Sequence, residues 1–315
     1  MKKIIVLGGV GAMATETIID LVETSDFDQI TVADIDLEKV ENLIAKLADR
    51  RLNGVKINAE NITDMAELIK GYDVVANGLP RVYCENAIRA GIRAGVDMLD
   101  LISPHEETLA LDGEAQEAGV SIVGGVGITP GITNILAQLC VDRLDSVEQI
   151  DIDFAAFRSI AHSPGLLHVI LWEFDPRTEN RFYYQDGNLV PNLPFSGART
   201  VHFPEPIGTQ TTYYVPHGES QTLSKNVKGV KKVYIRGCFP PRAMDLVRTL
   251  YKYGIYTAEE TAYNGNRIVP LEFINHYLLS TPEGDQTEVW GYSVQVEVIG
   301  TLRGYDVVYR FVTSH

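Results

Sequence analysis

Apolar positions in the first 125 residues follow two rhythms, short unbroken runs and stripes at helical spacing. Ile4-Ile5-Val6-Leu7 is a run of the kind carried by a strand buried on both faces. Ala14, Ile18, Leu21 and Val22 then recur every three or four residues, which predicts a helix. Residues 30–33 form a second apolar run, and Val40, Leu43, Ile44 and Leu47 give a helix over 38–50 one apolar face. The alternation continues with strands at 55–57, 73–76, 97–101 and 120–123. Between them the pattern predicts helices at 65–69, 85–94 and 108–117, the last two stopping at Gly95 and Gly119. This order predicts an α/β fold, a doubly wound parallel (Rossmann) sheet with its ligand site beyond the carboxyl ends of the strands.

After about residue 125 the texture changes. Strands are expected at 147–157, 181–185, 201–203 and 233–235, and Asp186-Gly187 is a hairpin signal that returns the chain through 188–190. Residues 287–300 and 305–313 read as a long strand pair joined by Leu302-Arg303-Gly304, and helices are expected at 165–173, 243–253 and 271–279. The organisation is a dinucleotide-binding domain over 1–125 and a second α+β domain over 126–315, built on a mainly antiparallel sheet. Long paired strands with one apolar face need covering, so this sheet is expected to form a subunit interface in a homo-oligomer, a dimer or higher.

The segment between the first strand and helix carries the most chemistry. Gly8-Gly9-Val10-Gly11-Ala12-Met13-Ala14 reads G-x-G-x-x-A on Gly9, Gly11 and Ala14. Gly9 permits a tight turn, Gly11 lets backbone approach a pyrophosphate, and Ala14 lets the helix pack close to the strand. The helix N-terminus, at Ala12 and Met13, offers N–H groups and a partial positive charge to the phosphates. The second strand ends at Asp34, 23 residues beyond Gly11, where a carboxylate accepts from an adenosine ribose. Ile35, Asp36 and Leu37 follow, with no Arg, Lys or Ser to receive a 2′-phosphate and Lys39 the nearest cation. The expected cofactor is therefore NAD, with NADP disfavoured.

Bulk properties narrow the partners. The 315 residues suit two domains, and the composition, 45% hydrophobic and 22% charged, is that of a globular protein. A formal charge of −15 opposes binding to nucleic acid or acidic membranes, so a pyrophosphate must be held by backbone groups. Cys84, Cys140 and Cys238 are far apart and lack metal spacing, and they read as reduced packing residues of a cytoplasmic protein. His162, His168, His202 and His276 show no ligand spacing either, and no metal is expected. The apolar run after Lys2 and Lys3 enters the glycine turn and reads as a strand rather than a signal peptide, and no apolar stretch is long enough to span a bilayer.

Other candidates follow strand ends. Asn58 ends the third strand, and Asn77-Gly78-Leu79-Pro80 ends the fourth and would run past the ribose and nicotinamide. Arg81 and Tyr83 come next, and Tyr83 either offers a hydroxyl to substrate or packs on the following helix. Asp100, Ser103 and His105 end the fifth strand. His105 can take a proton from an amine or water, although Pro104-His105-Glu106-Glu107 equally reads as a helix start. Asp100 reads as catalytic or as a buried hydrogen-bonding residue. A second glycine-rich stretch, Gly124-Gly125-Val126-Gly127-Ile128-Thr129-Pro130-Gly131, opens a helix over 132–139 whose N-terminus can take a substrate carboxylate. Further on, Glu219 can hold an ammonium group and Arg236 can clamp a carboxylate, or both are solvated surface charges.

Five stretches together resemble a known family: residues 8–14, Val32-Ala33-Asp34-Ile35-Asp36-Leu37, residues 73–80 with Tyr83, the segment Gly127-Ile128-Thr129-Pro130-Gly131-Ile132-Thr133-Asn134-Ile135-Leu136, and Gly218-Glu219-Ser220-Gln221-Thr222-Leu223. The chain resembles the saccharopine dehydrogenase-like oxidoreductases, and within them the lysine 6-dehydrogenases. The resemblance implies a nicotinamide cofactor in the first domain and an amino acid bound in a cleft between domains. Tyr83, Asp100, His105 and Thr129, which follow strands or precede a helix, and Glu219, from a loop of the second domain, are expected to line it. Saccharopine-forming members have Asp-Pro-Gly where this chain has Thr129-Pro130-Gly131, which removes a carboxylate and argues against that substrate. Family members also continue past the central sheet with further helices, so residues are expected to be missing after His315. The expected activity is NAD-dependent oxidoreduction at the C–N bond of an amino acid or amine. The alternatives are a carboxynorspermidine-type reductive condensation and a non-catalytic NAD sensor.

Overall fold

A computed structural model describes residues 1–102, 104–157, 164–280, 289 and 291–314. Ser103, His162, His315 and most of residues 287–290 lie outside the described residues, as does the side chain of His168. The chain divides into two compact units, Met1–Ile128 and Thr129–His315.

The first unit alternates strand and helix throughout. Its elements are β1 (Lys3–Leu7), α1 (Ala12–Thr24), β2 (Gln29–Asp34), α2 (Leu37–Leu47), β3 (Leu52–Lys56), α3 (Ile62–Ile69), β4 (Val74–Asn77), α4 (Cys84–Ala94), β5 (Asp97–Asp100), α5 (Glu106–Leu109), α6 (Asp112–Ala118) and β6 (Ile122–Gly124). The six strands are all parallel in the order β3-β2-β1-β4-β5-β6. Strand order reverses beside β1, where the chain leaves β1 toward β2 on one side and β4 lies on the other. Helices cover both faces because β1 alternates its side chains: Ile4 and Val6 join Ala14, Ile18 and Val32, while Ile5 and Leu7 join Met65, Val75 and Met98. The doubly wound parallel sheet expected from the sequence is thus present.

The second unit runs α7 (Ile132–Val141), β7 (Ser146–Phe157), α8 (Pro164–Glu173), β8 (Phe182–Gln185), β9 (Asn188–Pro191), β10 (Arg199–His202), β11 (Thr209–Tyr214), α9 (Glu219–Asn226), β12 (Lys232–Cys238), α10 (Pro241–Lys252), β13 (Thr261–Tyr263), β14 (Asn266–Ile268), α11 (Pro270–Ser280), β15 (Gly291–Leu302) and β16 (Tyr305–Ser314). Eight strands form one mixed sheet, with main order β10-β11-β12-β7-β15-β16. Every described pairing in it is antiparallel except β12 with β7. Ile150, Ile152 and Phe154 of β7, Val233 and Ile235 of β12 and Val294, Val296 and Val298 of β15 fill the core, against which helical residues such as Leu167, Ile170 and Val247 pack. Two-residue turns close the β8–β9 and β15–β16 hairpins. Asp186-Gly187 and Arg303-Gly304 both have positive φ at each position, which matches the right-handed twist of the flanking strands.

Close packing leaves some backbone without space for a side chain. The β15–β7 register shifts at Ile299/Gly300, and a β-carbon on Gly300 would lie 2.0 Å from the Ser146 carbonyl oxygen. A backbone atom cannot rotate away, so Gly300→Ala should destabilise the chain by about 3 kcal/mol. Gly113, inside α6 with nothing near its missing β-carbon, should instead gain about 0.5–1 kcal/mol on change to Ala. Urea-unfolding midpoints of the two variants should move in opposite directions.

Candidate functional site

The glycine turn of the first unit is built by contact. Gly8 has φ +68°, and a β-carbon there would sit 2.9 Å from the Gly78 carbonyl oxygen. One on Gly9 would lie 2.6 Å from a Val32 methyl, and one on Gly78 would lie 2.8 Å from the Ala14 β-carbon. The turn therefore presses against β2, β4 and α1 at once. Hydrogen bonds lock it there: Gly9 N–H donates to the Ala33 carbonyl at 3.1 Å, Gly11 N–H to Gly8 at 2.9 Å, and Gly78 N–H to Leu7 at 2.9 Å. Gly11 differs from its neighbours. A β-carbon there would meet only the Gly8 carbonyl, at 3.1 Å, and Gly11, Ala12 and Met13 are exposed. The open side of the turn fits a dinucleotide, because the first N–H groups of a helix have no partner within it.

Asp34 is set by the same turn. Its carboxylate accepts from Val10 N–H at 3.2 Å and from Asp36 N–H at 3.1 Å, so it is fixed at the carboxyl end of β2 beside the glycines. Lys39 turns to Asp36, at 2.9 Å, where the Asp36 side chain also caps α2. Ile35 is exposed. Asn58 is exposed at the end of β3, its side chain accepting from Glu60 N–H at 3.0 Å. At the end of β4, Asn77 is fully buried. It accepts from Leu79 N–H at 3.3 Å, which shapes the Gly78-Leu79-Pro80 loop, and contacts Cys84 Sγ at 3.8 Å.

The residues after that loop are more structural. Arg81 and Tyr83 form a single 3₁₀ turn into α4, and the Tyr83 ring packs against the core. Asp100 is buried and accepts from Ile102 N–H at 2.9 Å. Burial pushes its carboxyl above the usual range, against the pull of Ile102 N–H, Asn77, Cys84 and His105. His105 is the N-cap of α5, its ring Nδ1 3.4 Å from Thr108 Oγ1 and its Nε2 3.7 Å from Glu107. The helix-start reading of Pro104-His105-Glu106-Glu107 is therefore present, and His105 is mostly buried beside it.

The second unit gathers a different set. Glu219 opens α9 and is fully buried, its Oε1 accepting from Thr133 Oγ1 of α7 at 2.9 Å. His217, just before α9, meets Glu173 of α8 at 3.2 Å through Nε2 and lies 3.9 Å from Glu219 Oε2 through Nδ1. Its ring stacks on Phe154 at 5.2 Å, and Phe154 stacks in turn on Tyr292. Burial works against charge on His217, but the Glu173 hydrogen bond and both carboxylates outweigh it and raise its pKa above the usual value. Burial also raises the Glu219 carboxyl, opposed by His217 and Thr133. Thr129 hydroxyl pairs with the Tyr292 hydroxyl at 2.9 Å.

Arg236 is neither a solvated charge nor an open clamp. Its guanidinium donates to Asp151 at 2.7 Å and to the Gly197 carbonyl at 2.9 Å, and lies about 5 Å over the rings of Tyr214 and Tyr234. Glu173 and His217 escaped the sequence reading as site members. Glu173 ends an apolar helix, 44 residues before His217, and only the fold joins them.

Residues 4–123 match the family model described as the saccharopine dehydrogenase NADP binding domain. A carboxyaminopropylagmatine dehydrogenase of Synechocystis is 25% identical over 88% of this chain and 72% of the relative. A carboxynorspermidine synthase of Vibrio alginolyticus is 22% identical over 79% of this chain and 66% of the relative. The apo saccharopine dehydrogenase (L-Glu forming) of Saccharomyces cerevisiae has a similar fold, with a TM-score of 0.73 over 100% of this chain and 86% of that one at 14% identity. Three of the five motif stretches, the glycine turn, the Asp34 segment and the Asn77 loop, fall inside the matched domain. On these grounds the chain is similar to the saccharopine dehydrogenase-like oxidoreductases, and residues 4–123 match their nucleotide-binding domain.

Proposed function

We propose that the chain is an NAD-dependent oxidoreductase acting on the C–N bond of an amino acid or of an amine derived from one. The observation that carries the cofactor preference is Asp34, held by two backbone N–H groups beside the glycine turn. A ribose 2′-hydroxyl can donate to that carboxylate, whereas a 2′-phosphate would meet it and Asp36, with Lys39 already drawn to Asp36. The family model's description names NADP, and the chain's own charges argue the other way.

A bound nicotinamide supplies the hydride chemistry. The chain supplies binding and proton handling. Backbone groups of the glycine turn hold the pyrophosphate without positive side chains, and the Asn77 loop positions the neighbouring ribose. A substrate ammonium must lose a proton before its carbon can release hydride, and His105 is the proposed acceptor in the first unit. The resemblance to lysine 6-dehydrogenases and the names of the two long relatives lead to different substrates that share one feature, an amino group on a flexible carbon chain. The relatives' names favour a second reading, a reductive condensation in polyamine metabolism. Incubating the chain with L-lysine, putrescine or agmatine, and with NAD or NADP, while following the reduced cofactor by absorbance decides between substrates. The reverse assay uses the reduced cofactor with an amine and an aldehyde.

Three outcomes are expected. The wild-type chain should bind NAD more tightly than NADP by calorimetry, and Asp34→Ala should weaken NAD and narrow the difference; tighter NADP binding by the wild type would overturn the reading of Asp34. Gly11→Val should remain folded, since its β-carbon meets a single neighbour, the Gly8 carbonyl oxygen at 3.1 Å, at an exposed position, yet lose dinucleotide binding because the branched side chain would occupy the proposed phosphate position. Its circular dichroism should match the wild type while its NAD titration is flat. His105→Ala should lower turnover by about 10²–10⁴-fold with NAD affinity nearly unchanged, and normal steady-state rates in that variant would remove His105 from the mechanism.

A further inference from the structure

The mixed sheet of the second unit ends on one side in a long strand with an open edge. Strand β16 runs from Tyr305 to Ser314 and pairs with β15 along its whole length, and among the described residues no strand pairs its other side. The strand at the opposite end of the main order, β10, is four residues long. A sheet edge is a row of unpaired N–H and C=O groups, and isolated proteins blunt it with lysine, proline, a bulge or a covering element. β16 has no lysine, no proline and no register shift against β15. It exposes apolar side chains on both faces: Tyr305 is 76% and Phe311 37% exposed on one, Val308 53% and Val312 42% on the other.

The order of residues in the strand identifies what pairs with it. Two copies of one strand pair antiparallel about a two-fold axis when a residue faces its own counterpart on that axis. An axis at Val308 sets Asp306 opposite Arg310 of the second copy, twice by symmetry, on the face that Val308 shares. On the other face it sets Tyr305 opposite Phe311 and Val307 opposite Tyr309, again twice each. Every pair from Tyr305 to Phe311 is thus opposite in charge or apolar on apolar, the combinations that stabilise a sheet. Moving the axis to Val307 or Tyr309 sets Asp306 against a valine, and moving it to Asp306 or Arg310 sets like charges face to face. Arg310 bonds Glu297 through Nε at 3.0 Å, which leaves the Nη donors of a side chain that is 57% exposed. Two chains of charge −15 repel at a distance, so contact between them needs such local complementarity. An unrelated partner would require no symmetry in the strand.

We propose that β16 is the interface of a homodimer, pairing antiparallel with β16 of a second copy about a two-fold axis at Val308. The eight-stranded sheets of the two copies then run on as one sheet across the axis. The contact is isologous, so it closes at two copies and uses up the open edge of each. The inference does not rest on the oxidoreductase reading, since it uses neither the glycine turn nor the acids around His217.

Sedimentation equilibrium of the full chain tests this, and the wild type should have twice the mass of one chain. Val308→Lys sets two ammonium groups against each other on the axis, while in a single copy the new side chain stays solvated at a half-exposed position. It should raise the dimer dissociation constant by about tenfold or more with an unchanged circular dichroism spectrum. Cysteine reads the register. In the proposed pairing the two Val308 α-carbons lie about 4.5–5.5 Å apart, within disulfide reach, so oxidised Val308→Cys should run as a covalent dimer on a non-reducing gel. Thr313→Cys should not, because its own counterpart lies roughly ten residues, or about 34 Å, along the strands. If Val308→Lys fails to fold, the cysteine variants still decide. A monomeric wild type, a Val308→Lys variant as dimeric as the wild type, or a Val308→Cys variant that does not cross-link overturns the proposal. Cross-linking through Thr313→Cys would mean a different register and overturn it as well.

Discussion

The dinucleotide platform depends on backbone meeting backbone where β1 ends. Gly8, Gly9 and Gly78 bring the turn within van der Waals contact of β2, β4 and α1, and a β-carbon on any of them would overlap a neighbour. That closeness aims α1 and brings Val10 N–H to Asp34, which fixes the carboxylate at the end of β2. One geometric requirement thus sets both the start of the helix and the acid beside it. Gly11 is the exception, exposed and with the Gly8 carbonyl oxygen, at 3.1 Å, as the one neighbour its missing β-carbon would meet.

In the second unit the corresponding constraint is charge carried across the middle of a sheet. Arg199 reaches Asp153 at 3.0 Å and Glu297 at 3.3 Å, Arg236 holds Asp151, and Arg310 bonds Glu297 at 3.0 Å. Thr212 adds a hydrogen bond to Asp153 at 2.7 Å. Burial raises the Asp153 carboxyl against the attraction of Arg236 and Arg199. Such a network is weak evidence for net stability, because desolvation offsets much of the attraction. Its better attested effect is specificity: Asp151, Asp153 and Glu297 each meet two arginines, and the strand register is what brings those partners together. Arg236 therefore reads as a sheet residue, whereas Glu173 and Glu219, beside His217, each keep a buried carboxylate oxygen without a hydrogen-bond partner.

The first unit was legible because each of its strands is an apolar run and each long helix a stripe, and because the turn chemistry is local. Misses there were small. Residues 108–117 form two short helices rather than one, and α2 stops at Leu47, where Ala48 takes a left-handed conformation. The second unit hid more. Helix α9 reads Glu-Ser-Gln-Thr-Leu-Ser-Lys-Asn, with one apolar residue, so it has no stripe to detect. Strand β11, Thr-Gln-Thr-Thr-Tyr-Tyr, pairs β12 at an edge-side position where polar residues serve. The β13–β14 hairpin carries an Asn264-Gly265 turn, a strong local signal, but its strands are exposed and three residues long. Glu219 was visible as a candidate, while its partners were not, because Glu173 and His217 meet through tertiary packing alone.

Net charge gives the last step. A chain at −15 must bind an anion and, on the reading above, a cation. On that reading the anion is left to neutral donors, the N–H groups of the glycine turn and the N-terminus of α1, whose partial charges need no lysine or arginine that could attract other polyanions. The acids of the second unit are treated in the opposite way, by burial. Desolvation raises the affinity of Glu219 for a proton, while His217 and the Thr133 hydroxyl pull against it. A carboxyl group so placed can shed its charge by taking up a proton, so a buried acid need not add to the negative field that the exposed acids of the chain create.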